Sequence, residues 1–188
     1  MSAEITKKNS TMADERPRVW VACLASYNSG ILHGEWVTVP DTVEEMQEEI
    51  DRILETSSEP FADEWAFHDS QYFGPFDFTE YEGLEMLVKK ANIINQTDDI
   101  RALTAWDSSS IDFEKMDAEE IIEKFQAEFL GVYDSEEDFS CGHIQDCHEI
   151  PDYLESYIDY SKFWRDLTYD GYYSAYAPSM KFYIFRNS

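Results

Sequence analysis

The spacing of apolar residues in the first third of the chain predicts three strands. Residues 19–25 are almost continuously apolar, which predicts a largely buried strand. Residues 28–30 (Asn-Ser-Gly) form a turn signal, and residues 31–39 are predicted to be the partner strand of a hairpin. Residues 64–73 are predicted to return as a further strand. Together with one intervening helix, these strands would form a small α+β unit.

That helix is predicted from apolar residues spaced three or four positions apart. Thr42 precedes Glu45 by three residues, which is the pattern of a capping box at a helix start. The apolar face consists of Val43, Met46, Ile50, Ile53 and Leu54. Further amphipathic helices are predicted at residues 80–91 and 119–130. The second is capped by Asp117 and turns Ile121, Ile122, Phe125 and Phe129 inward.

The last third of the chain predicts more helix and then a hairpin. A helix is predicted at residues 134–141, and another begins at Pro151, which is well suited to a first helical position. Residues 172–176 and 182–185 predict a terminal hairpin around Pro178 and Ser179. Residues 92–116 are ambiguous between short helix and loop, and residues 1–17 predict a mobile extension. The fold class expected is therefore α+β.

Charge is distributed very unevenly along the chain. Residues 41–170 contain 36 acidic and 8 basic side chains, whereas the first 40 residues contain four of each and the last 18 add two cations. The net charge of −26 therefore comes from the middle of the sequence. Halophilic adaptation or simple solubility would predict negative charge along the whole chain. The segregation instead favours a surface that binds a partner built to hold a polyanion.

The helix predicted after Thr42 carries the sharpest local evidence for such a surface. Its polar face has six acidic residues and a single cation, Arg52. The pairs Glu44–Glu48, Glu45–Glu49 and Asp51–Glu55 are like charges four residues apart, each destabilising by roughly 0.2–0.5 kcal/mol. A helix that needed only solubility would alternate Glu with Lys. We therefore expect this negative face to contact a partner.

Chemical motifs are weak by comparison. Cys141, His143, Cys147 and His148 form a C-x-H-x3-C-H cluster, but structural zinc sites space their ligands more widely, so packed thiols are preferred and no metal is expected. Residues 134–138 lack the Gly and the alternation of a calcium loop. No nucleotide-binding or nucleophile motif occurs, and no catalytic carboxylate pair can be identified. We expect no cofactor and no enzymatic activity.

The same features bear on partners and location. No basic patch for direct nucleic-acid binding is present. No apolar run approaches the roughly 20 residues of a membrane span, and no signal segment opens the chain, so a cytoplasmic protein without membrane contact is expected. Two functions fit an acidic folded protein. One is a targeted mimic of a polyanion, and the other is a general acidic decoy or chaperone for basic DNA-binding proteins.

Four blocks of sequence, in order, resemble ArdA-type antirestriction proteins. Residues 21–36 (VACLASYNSGILHGEW) and 64–69 (EWAFHD) resemble the opening of that family. Residues 129–139 (FLGVYDSEEDF) resemble its antirestriction motif, and residues 157–167 (YIDYSKFWRDL) resemble its C-terminal segment. The resemblance runs from about residue 18 to the end, with residues 92–116 matching poorly and the first 11 or so residues forming an extension.

The resemblance implies a DNA mimic. It implies an elongated protein of three small domains, here an α+β domain at 18–78, a mainly helical domain at 79–124 and an α+β domain at 125–188. It further implies a homodimer that occupies the DNA-binding groove of Type I restriction–modification enzymes, at the methyltransferase core, and protects incoming mobile DNA. Duplex DNA carries two charges per base pair, so two chains of −26 carry the charge of about 26 base pairs.

Two sets of residues are expected to carry this function. The DNA-mimic face is assigned to acidic residues on the predicted helices: Glu44, Glu45, Glu48, Glu49, Asp51, Glu55, Glu80, Glu82, Glu85, Glu119, Glu120 and Glu123. The antirestriction motif contributes Phe129, Gly131, Tyr133, Ser135, Glu137, Asp138 and Phe139. Its three rings are expected at a two-fold interface, with Gly131 permitting close approach; ordinary core packing of those rings is the alternative.

Overall fold

A computed structural model describes residues 16–109 and 111–187 of the chain. The predicted N-terminal extension lies almost entirely outside the described residues. The chain divides into two compact units, Met1–Asn95 and Gln96–Ser188. Each contains helices and one antiparallel three-stranded sheet, which confirms the α+β class. The three-domain boundaries stay a prediction, and each element is described with the unit in which it lies.

The sheet of the first unit has β1 (Arg18–Cys23) at its centre. It pairs antiparallel with β2 (Gly34–Thr38) on one side and β3 (Trp65–Gln71) on the other. Val19, Val21 and Cys23 of this central strand are completely buried. The predicted hairpin partners and the returning strand are thus confirmed, although their ends differ from the prediction.

The connection between β1 and β2 contains the predicted turn, but a helix that the sequence did not indicate precedes it. The first strand stops at Cys23, and a short helix, α1 (Leu24–Asn28), follows it. The amide of Ile31 donates to the carbonyl of Ser26, which folds the chain back before the second strand can begin. Gly34 then starts β2 in very close contact with β1, since a Cβ there would lie 2.3 Å from the Val21 carbonyl oxygen.

The helix predicted after Thr42 forms where the sequence places it. Helix α2 (Val43–Glu55) begins at Thr42, whose side chain accepts a hydrogen bond from the Glu45 amide. Met46, Ile50 and Ile53 are fully buried against the sheet. The cap and the apolar spacing together fix both the start and the rotation of the helix.

The next helix starts later than predicted. Helix α3 (Leu84–Asn95) packs against α2 but does not include residues 80–83. The carbonyl of Glu80 accepts from the amide of Phe67 in β3, and the Glu82 amide donates to Thr79 in a turn. Residues 79–82 therefore bond to β3 and form a turn instead of helix, so the predicted start at residue 80 is wrong.

The second unit begins with helices and ends with strands. Helices α4 (Ile100–Ala105) and α5 (Ala118–Glu128) precede β4 (Phe129–Tyr133). Helices α6 (Glu136–Cys147), α7 (Asp152–Glu155) and α8 (Tyr160–Tyr169) lead to the hairpin of β5 (Tyr172–Ala177) and β6 (Lys181–Arg186). The strand order is β4-β6-β5, so β6 is central. The terminal hairpin predicted from the sequence is confirmed.

Strand β4 was not predicted, and it shortens the helix before it. Helix α5 ends at Glu128 rather than at residue 130, because Phe129 already pairs with Phe185 in β6. The partner lies more than 50 residues further along the chain, so no local pattern reveals it. The predicted helix at 134–141 exists but starts at Glu136 and continues to Cys147. The helix after Pro151 is only one turn long.

The core of the second unit is aromatic. Phe139 of α6, Trp164 and Leu167 of α8, Tyr172 of β5 and Ile184 of β6 form one buried cluster. Phe139 contacts both Trp164 and Tyr172 at ring-centroid distances of 5.9 Å. Helices α6 and α8 therefore lie together against the sheet.

A buried carboxylate lies in this unit. Glu128 at the end of α5 is only 2% exposed. Its Oε2 accepts from Trp106 Nε1 at 2.7 Å, and its Oε1 lies 2.8 Å from Lys124 Nζ. These partners compensate for the loss of hydration that an isolated buried charge would suffer.

Candidate functional site

The acidic side chains assigned to the mimic face are mostly exposed. Ten of the twelve are exposed, and the other two, Glu49 and Glu82, are partly buried. On α2, the exposed acids are Glu44, Glu45, Glu48, Asp51 and Glu55. Within the described residues none of these five forms an ion pair. The buried face of α2 packs on the sheet, so its outer face presents a nearly uncompensated negative charge to solvent.

Thr42 and Gln47 support this face. The Thr42 cap fixes the first turn, where Glu44 and Glu45 interact favourably with the positive end of the helix dipole. Gln47 Nε2 donates to Asp51 Oδ1 at 2.8 Å, which orients that carboxylate without neutralising it. The helix therefore holds its acidic side chains in place with few opposite charges.

Arg52 is the cation of this helix, and it is already engaged. Its guanidinium contacts Glu35 Oε2 and Glu49 Oε2, both at 2.9 Å. Its hydrogen bond lowers the pKa of Glu35, and the two carboxylates raise the pKa of Arg52 above its usual value. Arg52 thus compensates Glu35 on β2 and Glu49 on its own helix, and it leaves the acids further round the helix unpaired.

The three acids predicted to continue the face near α3 are not equivalent. Glu85 is exposed in the first turn of α3, and Glu80 is exposed with Oε1 4.0 Å from His68 Nε2. Glu82 differs, because its Oε1 accepts from Lys90 Nζ at 3.0 Å and its side chain is only 10% exposed. Lys90 also donates to the Asp77 carbonyl. Glu82 therefore has an internal partner that the sequence spacing did not indicate.

Helix α5 presents a second acidic turn, in the other unit. Glu119, Glu120 and Glu123 are exposed. Asp117 and Glu120 form a complete capping box, each carboxylate accepting from the other residue's amide at 2.9 Å. Glu120 thus both caps the helix and contributes charge at its surface.

Residues 129–139, which resemble an antirestriction motif, form a strand and the start of a helix. Ser135 caps α6 by accepting from the Asp138 amide at 3.0 Å. Glu137 is exposed and accepts from Ser161 Oγ at 2.8 Å, and this hydrogen bond lowers its pKa. The polar half of the motif therefore connects α6 to α8 and adds carboxylates at a helix N-terminus, where the dipole favours them.

The rings of the motif pack inside their own unit to different degrees. Phe139 is 5% exposed in the aromatic core, and Phe129 stacks on Phe125 with ring centroids 5.5 Å apart. Tyr133 is partly buried and meets Phe139 edge-on at 5.0 Å. Gly131 has a φ of +127°, beside an irregularity in the pairing of β4 with β6, so the backbone there requires glycine. The two-fold interface stays a prediction.

The remaining candidate chemistry is dispersed. The described residues contain no group of three or more His, Cys, Asp or Glu side chains placed to hold a metal ion. Cys141 is partly buried and its thiol hydrogen-bonds to Tyr160, which raises the pKa of that tyrosine. His143 lies 5.5 Å from the Phe139 ring, and Cys147 is exposed.

An acidic groove that the sequence did not indicate lies at the end of α2. Glu59, Phe61 and Asp63 line it together with Asp51 and Glu55 from the predicted face. The signal available in the sequence was a phenylalanine between acidic residues in a stretch without apolar periodicity. No helix of the described residues is long and apolar enough to cross a membrane.

Comparison with known proteins identifies a family. The family model described as antirestriction protein (ArdA) matches residues 19–181 of the 188-residue chain. The match includes all eight helices of the described residues and runs from Val19 in β1 to Lys181, the first residue of β6. A search of curated proteins finds no match to the chain.

Proposed function

The chain belongs to the ArdA family of antirestriction proteins, and on that basis we propose that it inhibits Type I restriction–modification enzymes as a DNA mimic. The chain would bind in the DNA groove of the methyltransferase core and exclude DNA, without catalysis of its own. In this way it would protect incoming mobile DNA. The observation that carries the proposal is the exposed, unpaired acidic face of α2 in an antirestriction protein.

The charges of α2 suit imitation of a phosphate backbone. Neighbouring acids three or four residues apart on a helix have Cβ atoms about 5–6 Å apart, so they form a row of negative charges. A groove that binds DNA is lined by Lys and Arg that contact phosphates. The same cations can contact these carboxylates, and no base sequence needs to be read.

The helix is also rigidly anchored beneath those charges. Met46, Ile50 and Ile53 are completely buried, and Thr42 fixes the first turn. A surface that is already ordered loses little conformational entropy on binding, which favours affinity. Binding through exposed charges should also weaken as salt concentration rises, because screening shortens the range of these interactions.

Competition with DNA tests this function. The purified protein is titrated against a Type I methyltransferase core bound to labelled duplex DNA, with a generic basic DNA-binding protein as the control. Displacement from the methyltransferase alone, weakening with salt, supports the proposal. Equal displacement from both proteins supports the general acidic decoy, and displacement from neither contradicts both functions.

The antirestriction motif is proposed to form the interface of a homodimer. Val132 on the edge strand β4 is 44% exposed, and the partly buried Tyr133 is next to it. Tyr133→Ala is expected to produce a monomer in sedimentation velocity, whereas Tyr176→Ala, on an 85% exposed ring of β5, should not. A dimer of unchanged affinity in Tyr133→Ala would refute this interface.

A further inference from the structure

A groove with an apolar floor and an acidic rim lies where α2 ends. Leu54, Phe61 and Ala62 provide the apolar surface, and Ser57 lies among them. The rim consists of four carboxylates, from Asp51, Glu55, Glu59 and Asp63. No Lys, Arg or His belongs to the lining that the structure describes. We refer to these eight residues as the Phe61 groove.

Phe61 is placed where its own unit gains little from it. Its side chain is 89% exposed, so the hydrophobic core does not use the ring. Its φ is +59°, in the left-handed region that bulky residues rarely occupy. An exposed aromatic ring in an unfavourable backbone conformation is more easily explained by contact with a partner than by folding.

The position of the groove favours a cation. The groove includes Leu54 and Glu55 in the last turn of α2, and the helix dipole makes this end of the helix partly negative. The carboxylate of Glu59 is held in place, since it accepts from Ser29 Oγ at 3.0 Å while the Glu59 amide donates to Ser57 Oγ. Carboxylates, helix end and aromatic ring therefore all complement a positive group with an apolar stem.

We propose that the Phe61 groove binds an arginine side chain of the protein that this chain inhibits. The guanidinium would stack on the Phe61 ring and donate to the rim carboxylates, while its methylene stem covers the apolar floor. Lysine fits less well, because its ammonium is not planar and is more strongly hydrated. The identity of the partner rests on the proposed function, but the preference for arginine does not.

Two peptides separate the contribution of the ring from that of charge. The full chain, labelled with ¹⁵N, is titrated with hexa-arginine and with hexalysine. Tighter binding of hexa-arginine is expected, with chemical-shift changes at the amides of residues 54–63. Phe61→Leu keeps an apolar side chain and the net charge but removes the ring, and it should weaken hexa-arginine binding about two- to five-fold. Hexalysine binding should hardly change.

Two further variants test whether the effect of Phe61→Leu is specific to the groove. Tyr81→Leu removes a 75% exposed ring of the same unit outside the groove, and it should leave the arginine preference intact. The double variant Glu59→Gln/Asp63→Asn should weaken both peptides. An unchanged arginine preference in Phe61→Leu, or shift changes confined to other residues, would overturn the proposal.

The methyltransferase core provides the second measurement. If the wild-type chain displaces DNA from the core, Phe61→Leu should require about two- to five-fold more protein for half displacement, and equal displacement would overturn the groove as a partner site. If the wild-type chain displaces no DNA, the proposed function fails. In that case, loss of the arginine preference in Phe61→Leu still supports the groove.

Discussion

Removing negative charge from the outer face of α2 should stabilise the protein while it weakens inhibition. The double variant Glu48→Gln/Glu55→Gln abolishes two like-charge pairs, Glu44–Glu48 and Asp51–Glu55. Each pair destabilises a helix by about 0.2–0.5 kcal/mol, so the expected gain in unfolding free energy is about 0.4–1 kcal/mol. Both substituted side chains are exposed and outside the first turn, so the cap and the core contacts of Met46, Ile50 and Ile53 are preserved.

Thermal and urea unfolding at low salt, repeated at about 1 M salt, measure this gain. A gain of about 1 kcal/mol corresponds to about 4–8 °C in a domain of 60–100 residues, which is the size of the first unit. The gain should shrink at high salt, where the Debye length falls to about 3 Å. Inhibition of the methyltransferase core should decrease in the same variant.

The matched control is Glu64→Gln/Asp77→Asn, which removes two exposed charges of the same unit away from α2. An equal gain in this control would show that net charge alone is responsible. Lower stability of the α2 variant at low salt would refute the reasoning, because it would mean that the acidic face stabilises the fold rather than compromising it.

Three further outcomes are expected. Glu128→Ala should lower the free energy of unfolding in urea by about 1–3 kcal/mol, because it leaves the buried Trp106 N–H without its acceptor; an effect below about 1 kcal/mol would contradict this role of Glu128. Asp117→Ala removes the cap of α5, so it should lower the free energy of unfolding by about 1 kcal/mol and reduce the helicity seen by circular dichroism. Asp77→Ala should change neither quantity. The pKa of Glu137 is lowered by Ser161, so its contribution to stability is present above the unfolded-state pKa and lost as pH falls through the folded-state value. In Ser161→Ala, the free energy of unfolding should therefore fall less as the pH is lowered. The same dependence of unfolding free energy on pH in the variant and the wild type would contradict this.

The elements found from the sequence are those with local signals. Helix α2 has a cap, a consistent apolar face and charged outer positions, so its bounds follow from neighbouring residues alone. Strand β4 has five residues without alternation, and its existence depends on pairing with β6 more than 50 residues later. Helix α1 was missed because Leu24 and Ala25 extend the apolar run of β1. Local sequence patterns therefore do not predict a strand that depends on a distant partner, or a helix of one or two turns.

The candidate site also contains some features that local sequence signals predict and others that they do not. Exposure of the α2 acids could be predicted, because they lie opposite an apolar face. The internal partner of Glu82 could not, since Lys90 reaches it only after the chain turns before α3. The Phe61 groove was also missed, because an exposed phenylalanine has no periodicity and its neighbours come from the helix end and the following loop.

The central claim is that the acidic face of α2 contacts the DNA-binding groove of the partner. The direct test compares affinity for a Type I methyltransferase core between two charge-reversed variants, with unchanged circular dichroism required of each. One reverses Glu44, Glu48, Asp51 and Glu55 to Lys, and the other reverses Glu64, Asp77, Glu114 and Asp146, which are exposed acids elsewhere. Both change the net charge equally. We predict at least tenfold weaker binding for the α2 variant than for the control, and equal affinities would contradict the claim.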